Sequence, residues 1–164
     1  MSAVGAQASC LRTAGILPAL IDPDMLDSKK ILIVSDHAED KFTRVALEQR
    51  GFAVVFAQDF DVAYRQLRDS AFDLVIVDVA RAATGIEFVK HLRGTPTMSR
   101  ILVLTIADWG TGQGTLALTE GADAYEPKPV SPERVITAIE RMLRQRVAKT
   151  AAATNVIGGM KTND

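Results

Sequence analysis

The chain has 164 residues, with 19 Lys and Arg against 20 Asp and Glu, 48% hydrophobic and 24% charged. That length holds one domain with tails, and a net charge of −1 argues against a protein that coats nucleic acid. One cysteine, Cys10, excludes an intrachain disulfide and a zinc site of several thiolates, and a reducing cytoplasm is the expected compartment.

Residues 1–28 are rich in Ala, Gly and Ser and lack a steady period, so they are expected to be a disordered tail, with Met25 an alternative start. The longest apolar stretch there, Ala14 to Ile21, contains Gly15 and Pro18 and falls well short of the ~20 residues of a membrane span. Residues 1–11 also lack the basic start of a signal peptide.

From residue 29 to 146 a rhythm sets in. Apolar runs fall at Ile31 to Val34, Ala53 to Ala57, Leu74 to Val77 and Ile101 to Leu104, with a weaker fifth at Ala124-Tyr125. They do not alternate apolar with polar, which fits strands covered on both faces, as in a parallel sheet. Helical patterns fill the gaps: Phe42, Val45 and Ala46; then Phe60, Ala63, Tyr64 and Leu67; then Ile86, Phe88, Val89 and Leu92; then a poor pattern at Leu116 and Leu118. The last helix is the best marked. Ser131 is placed to cap it, Pro132 and Glu133 open it, and Val135, Ile139, Met142 and Leu143 form its buried stripe. Gly51 and Gly121 close two helices. Residues 147–164 read as a second disordered tail. The five βα units predict a doubly wound α/β fold with a five-stranded parallel sheet and helices on both faces.

In such sheets ligands sit at the carboxyl ends of the strands. In the flavodoxin-like order 2-1-3-4-5, strands 1, 3, 4 and 5 are contiguous, and these are the strands that end in polar residues: Ser35-Asp36-His37, Asp78, Thr105, and Lys128 before Pro129. Two carboxylates, a hydroxyl and an ammonium in one pocket suit Mg²⁺ and a phosphoryl group.

Lys30-Ile31-Leu32-Ile33-Val34-Ser35-Asp36 resembles the opening of a response-regulator receiver domain, and Phe72-Asp73-Leu74-Val75-Ile76-Val77-Asp78 resembles its phosphoacceptor strand. Gly85-Ile86-Glu87, Leu104-Thr105 and Gly121-Ala122-Asp123-Ala124-Tyr125-Glu126-Pro127-Lys128-Pro129 match the rest in order. Each motif alone is weak. Together, at this spacing, they are specific, and the resemblance covers about residues 29–146.

The resemblance implies a role for each matched position. Asp78 is the phosphoacceptor, Asp36 a metal-binding acid, Thr105 the hydroxyl that bonds the phosphoryl group, Lys128 the lysine that pairs with it and Tyr125 the aromatic switch. Mg²⁺ would be held by Asp36, Asp78 and the backbone carbonyl of Ala80, and the Lys128–Pro129 bond would be cis. The implied function is a cytoplasmic signalling protein, not an enzyme, in a two-component phosphorelay. It takes its phosphoryl group from a histidine kinase or phosphotransfer protein and passes the signal to an output protein that the sequence does not name. A homodimer is left open; no direct nucleic-acid or membrane contact is expected. The 18 residues after 146 are too few for a DNA-binding module, so the segment reads as a stand-alone regulator or a fragment of a larger one.

Three departures favour an alternative, a phosphorylation-independent pseudo-receiver that serves as a docking module. Ser35 replaces the first of the family's usual acidic pair, the loop Val79 to Gly85 is short and lacks a proline, and Ile106 stands where Ala or Gly is usual. A small phosphoaspartate phosphatase is disfavoured because Ala80, not Asp, lies two residues after Asp78. His37 and His91 read as surface residues. Trp109 is equally a partner contact or a residue packed on the sheet. The glycine-rich stretch Gly110 to Thr115 reads as a flexible loop rather than a phosphate cradle.

Overall fold

The computed structural model describes residues 29–35, 40–79 and 82–158. Within them strands and helices alternate: β1 Lys30–Val34, α1 Asp40–Gln49, β2 Ala53–Ala57, α2 Phe60–Asp69, β3 Leu74–Asp78, α3 Ala82–Gly94, β4 Leu102–Asp108, α4 Gln113–Thr119, β5 Ala124–Lys128 and α5 Pro132–Gly158. The strands pair in parallel, in the order β2-β1-β3-β4-β5. The five parallel strands are those that the spacing of apolar runs predicts, and their order is the flavodoxin-like one.

The central runs Ile31 to Val34, Leu74 to Val77 and Leu102 to Leu104 are apolar because both faces of the sheet are covered there. On one face Leu32, Val75, Val77 and Val103 pack against Ala63 and Leu67 of α2, Phe88 and Leu92 of α3, and Ala117 of α4. On the other, Ile31, Ile33, Ile76 and Leu104 pack against Leu47 of α1 and Val135, Ile139 and Met142 of α5. β4 continues past its apolar run because it has a neighbour on each side: Ile106 pairs with Asp78 of β3, and Asp108 with Lys128 of β5.

Local chemistry fixes the helix ends. The Asp59 carboxylate accepts a hydrogen bond from the Val62 N–H at 2.7 Å and caps α2. Gly51 and Gly121 adopt φ of 91° and 113°, left-handed values suited to glycine after a helix. Arg93 of α3 clamps the opposite edge from the strand carboxyl ends. Its guanidinium donates to the carbonyls of Gly121, Ser99 and Ile101 and pairs with Asp123 at 2.6 Å.

Two expectations are corrected. Of the stripe Phe42-Val45-Ala46 only Ala46 packs against the core: Phe42 is 76% exposed and Val45 is exposed, while Thr43 and Leu47 are buried. Helical geometry puts residues 43 and 47 on one side and turns residue 42 about 120° away from their mean direction. Packing of α1 against both β2 and α5 selects the Leu47 side. The expected tail after residue 146 is helical as far as Gly158. From Arg141 to Val156 the sequence has neither Gly nor Pro, and Ala148 with Ala151 to Ala153 favours helix. Arg146 also donates to the Asp73 carbonyl at 3.4 Å, tying the helix to the start of β3. Residues 1–28 and 159–164 lie outside the described residues.

Candidate functional site

Parallel strands bring their carboxyl ends to one edge of the sheet. Asp78 ends β3, and Lys128 ends β5, two strands away. The lysine ammonium reaches across the end of β4, and its Nζ lies 2.5 Å from Asp78 Oδ2. Asp78 has a side chain 10% exposed and Lys128 one 29% exposed, so the pair sits at the rim of the core with its cation toward water. The Lys128–Pro129 bond is cis. Ile106, the register partner of Asp78, is buried on the same face and gives the carboxylate an apolar neighbour. A charge-assisted hydrogen bond in such a setting is stronger than one in open water.

The backbone around Asp78 is also held closely. The Val79 N–H donates to the Ile106 carbonyl at 2.9 Å. A Cβ at Gly85 would stand 2.7 Å from Val79 Cγ1, so glycine at this position lets α3 close on the residue that follows Asp78.

Thr105 is fully buried on the opposite face, between Val77 on β3 and Tyr125 on β5. Its hydroxyl donates to the Ala124 carbonyl at 3.2 Å. Asp78 and Lys128 are therefore in contact, whereas Thr105 and Tyr125 form a second, neighbouring pair one residue back along the sheet. Ser35, just beyond β1, is 6% exposed, and its N–H donates to the Ala57 carbonyl at 3.1 Å. Asp36, His37 and Ala80 lie outside the described residues. Among the described residues no group of three or more His, Cys, Asp or Glu is placed to hold a metal ion.

Other candidates take no part in the Asp78–Lys128 pair. His91 is exposed and stacks edge-on against Tyr64, with centroids 4.7 Å apart. Burial pushes the Tyr64 phenol above its usual range, with the charges of Asp61 and Glu87 adding to it. Trp109 is 78% exposed, so the reading in which it packs on the sheet does not hold. The glycine-rich stretch divides in two. Gly110 and Gly112 take left-handed φ in a turn where the Thr111 hydroxyl donates to the Asp108 carbonyl. Gly114 lies inside α4, buried against Tyr125. Sequence reasoning missed this second role, because Gly114 closes a glycine-rich stretch that reads as a loop and the helical pattern after it is poor.

The sheet order and the acid–ammonium pair at its carboxyl edge define an open α/β domain in which a strand-end carboxylate faces a lysine ammonium. Comparison with known proteins makes the class specific. Residues 31–140 match the family model described as response regulator receiver domain. The chain is 33% identical over 121 residues to the phosphate regulon transcriptional regulatory protein PhoB of Escherichia coli (strain K12), covering 72% of this chain and 53% of that protein. It is 35% identical over 120 residues to the alkaline phosphatase synthesis transcriptional regulatory protein PhoP of Bacillus subtilis (strain 168), covering 72% and 50%. The chain thus spans about half the length of these curated relatives. Among solved structures, the chemotaxis response regulator CheY4 of Vibrio cholerae superposes with a TM-score of 0.64 at 26% identity, covering 70% of this chain and 98% of that one. A response regulator from Thermotoga maritima gives 0.65 at 20% identity, covering 71% and 98%. The chain belongs to the response-regulator receiver family of two-component signalling. No helix among the described residues is long and apolar enough to cross a membrane.

Proposed function

We propose that the chain is a phosphoacceptor: a phosphoryl group moves from a phosphohistidine of a kinase or phosphotransfer protein onto Asp78. The carboxylate oxygen attacks phosphorus, the P–N bond breaks with its electron pair passing to the imidazole, and the imidazole takes a proton from water. The observation that carries this reading is the Lys128 ammonium 2.5 Å from Asp78. It is a fixed cation where the charge of the incoming oxygens gathers.

The donor chemistry fits Mg²⁺. Asp78 offers a hard oxygen, and Val34, two residues before Asp36, is the register partner of Val77. Asp36, Asp78 and the Ala80 carbonyl would hold the ion. When bound it supplies charge compensation for the phosphoryl oxygens. In this reading the Thr105 hydroxyl exchanges the Ala124 carbonyl for a phosphoryl oxygen, and Tyr125 follows. The exposed Trp109, Leu116 and Leu118 then offer an altered apolar face to an output partner. A homodimer is one form such a partner would take.

The test is intact mass after incubation with acetyl phosphate and Mg²⁺. One added phosphoryl group is expected, lost in Asp78→Asn with the fold retained. Labelling that survives the substitution refutes the assignment. A second reading, the pseudo-receiver used only for docking, is favoured by buried Ser35 at the usual acid position and by Ile106 beside Asp78. It predicts no mass gain in wild type.

A further inference from the structure

Gly114 sits in the first turn of α4 and is buried. A Cβ placed on it would lie 2.6 Å from Tyr125 Cγ and would overlap the ring atoms Cδ2 and Cε2. The Tyr125 ring therefore occupies the space of the missing side chain. Unlike Gly110 and Gly112, Gly114 has no left-handed φ, so the backbone does not require glycine there. What the position accommodates is the ring.

Two contacts link that seat to the acceptor edge. Tyr125 is the register partner of Thr105. Thr105 hydrogen-bonds the carbonyl of Ala124, the residue before Tyr125, and its partner on β3 is Val77, next to Asp78. Seating of the ring and the outward bond of the hydroxyl thus occur together in one conformation.

We propose that Gly114 is a positioning residue: the notch it leaves in α4 seats the Tyr125 ring and holds the receiver with the Thr105 hydroxyl turned away from Asp78. This rests on the phosphoacceptor reading above. A side chain at 114 expels the ring from the seat and shifts the population toward the conformation in which Thr105 is released.

Gly114→Ala tests it, with Tyr125→Ala made in both backgrounds. Tyr64 and Tyr125 are the only tyrosines, so ring-labelled tyrosine gives two assignable NMR signals. The substitution is expected to move the Tyr125 signal and leave that of Tyr64 in place. Phosphorylation by acetyl phosphate with Mg²⁺, followed by intact mass, is expected to run roughly fivefold faster or more, the low end of coupling through a two-state element. The two Tyr125→Ala proteins should react at equal rates, because with no ring residue 114 has nothing to displace. An unmoved Tyr125 signal, an unchanged rate, or a gain that persists without Tyr125 overturns the notch. Wild type that takes no phosphoryl group overturns the phosphoacceptor reading itself, whereas a reactive wild type indifferent to Gly114→Ala overturns only this inference.

Discussion

Replacing Lys128 by Met keeps the length and apolar stem of the side chain and deletes its charge. At 2.5 Å the two charges attract by roughly 7 kcal/mol at an effective dielectric of 20, but taking both out of water offsets most of that. The measurable cost comes from what is left behind. Truncating one member of a buried pair costs about 3–5 kcal/mol. Here Lys128 is partly exposed and Asp78 keeps a further interaction, which places the loss at ~2 kcal/mol. For a domain of this size that is a fall in melting temperature of roughly 6–10 °C. Asp78→Asn alone should cost less, since the lysine can swing its ammonium to water. The double variant should recover about half or more of the Lys128→Met loss, because the residual carboxylate charge is gone. Mg²⁺ at millimolar concentration should raise the melting temperature of Lys128→Met more than that of wild type, as one cation stands in for another. Thermal melts of the four proteins with and without Mg²⁺ read all of this. Additive single and double losses, with no Mg²⁺ effect in any protein, would refute the claim that charge complementarity governs this edge.

Three further outcomes follow from the same geometry. Ser35→Asp adds a carboxylate to a buried position; it should lower stability without metal and tighten Mg²⁺ binding in a calorimetric titration, and unchanged affinity would show that another acid already serves there. Phe88, fully buried with the rings of Phe60 and Tyr64 each 4.9 Å away, should lose about 3–4 kcal/mol on Phe88→Ala by denaturant titration, and a loss under 1 kcal/mol would contradict its packing. Its own backbone N–H at the start of α5, then the Ser131 hydroxyl, hold the Glu133 carboxyl below the usual carboxylate range. The stabilisation is present above the ordinary carboxylate pKa and is lost as pH falls through the lowered value. Glu133→Gln should therefore melt slightly below wild type at neutral pH and match it in acid; a gap that persists in acid would count against this account.

The five strands, their parallel pairing and the polar residues at their carboxyl ends were legible in the residues themselves, whereas the order of the strands came with the flavodoxin-like arrangement. A strand buried on both faces must be apolar throughout, so Ile31 to Val34 and Leu74 to Val77 announce themselves, and Asp78 stands out as the first charge after such a run. Ser131 and Pro132 marked the start of α5 for an equally local reason: capping involves neighbours in the chain. Tertiary structure decided what depends on distant partners. The roll of α1 follows from its contacts with β2 and α5, and a helical wheel of Phe42, Val45 and Leu47 gives no ranking among faces that are all partly apolar. The length of β4 depends on having β3 and β5 beside it. Which polar groups touch was decided the same way: Lys128 spans two strands to Asp78, while Thr105, one residue out of step with Asp78, points to the opposite face because successive side chains in a strand alternate. Gly114 shows the limit most clearly. In the sequence it is the third of three glycines in a loop, and only the ring of Tyr125, eleven residues later and one strand away, gives its missing side chain a meaning.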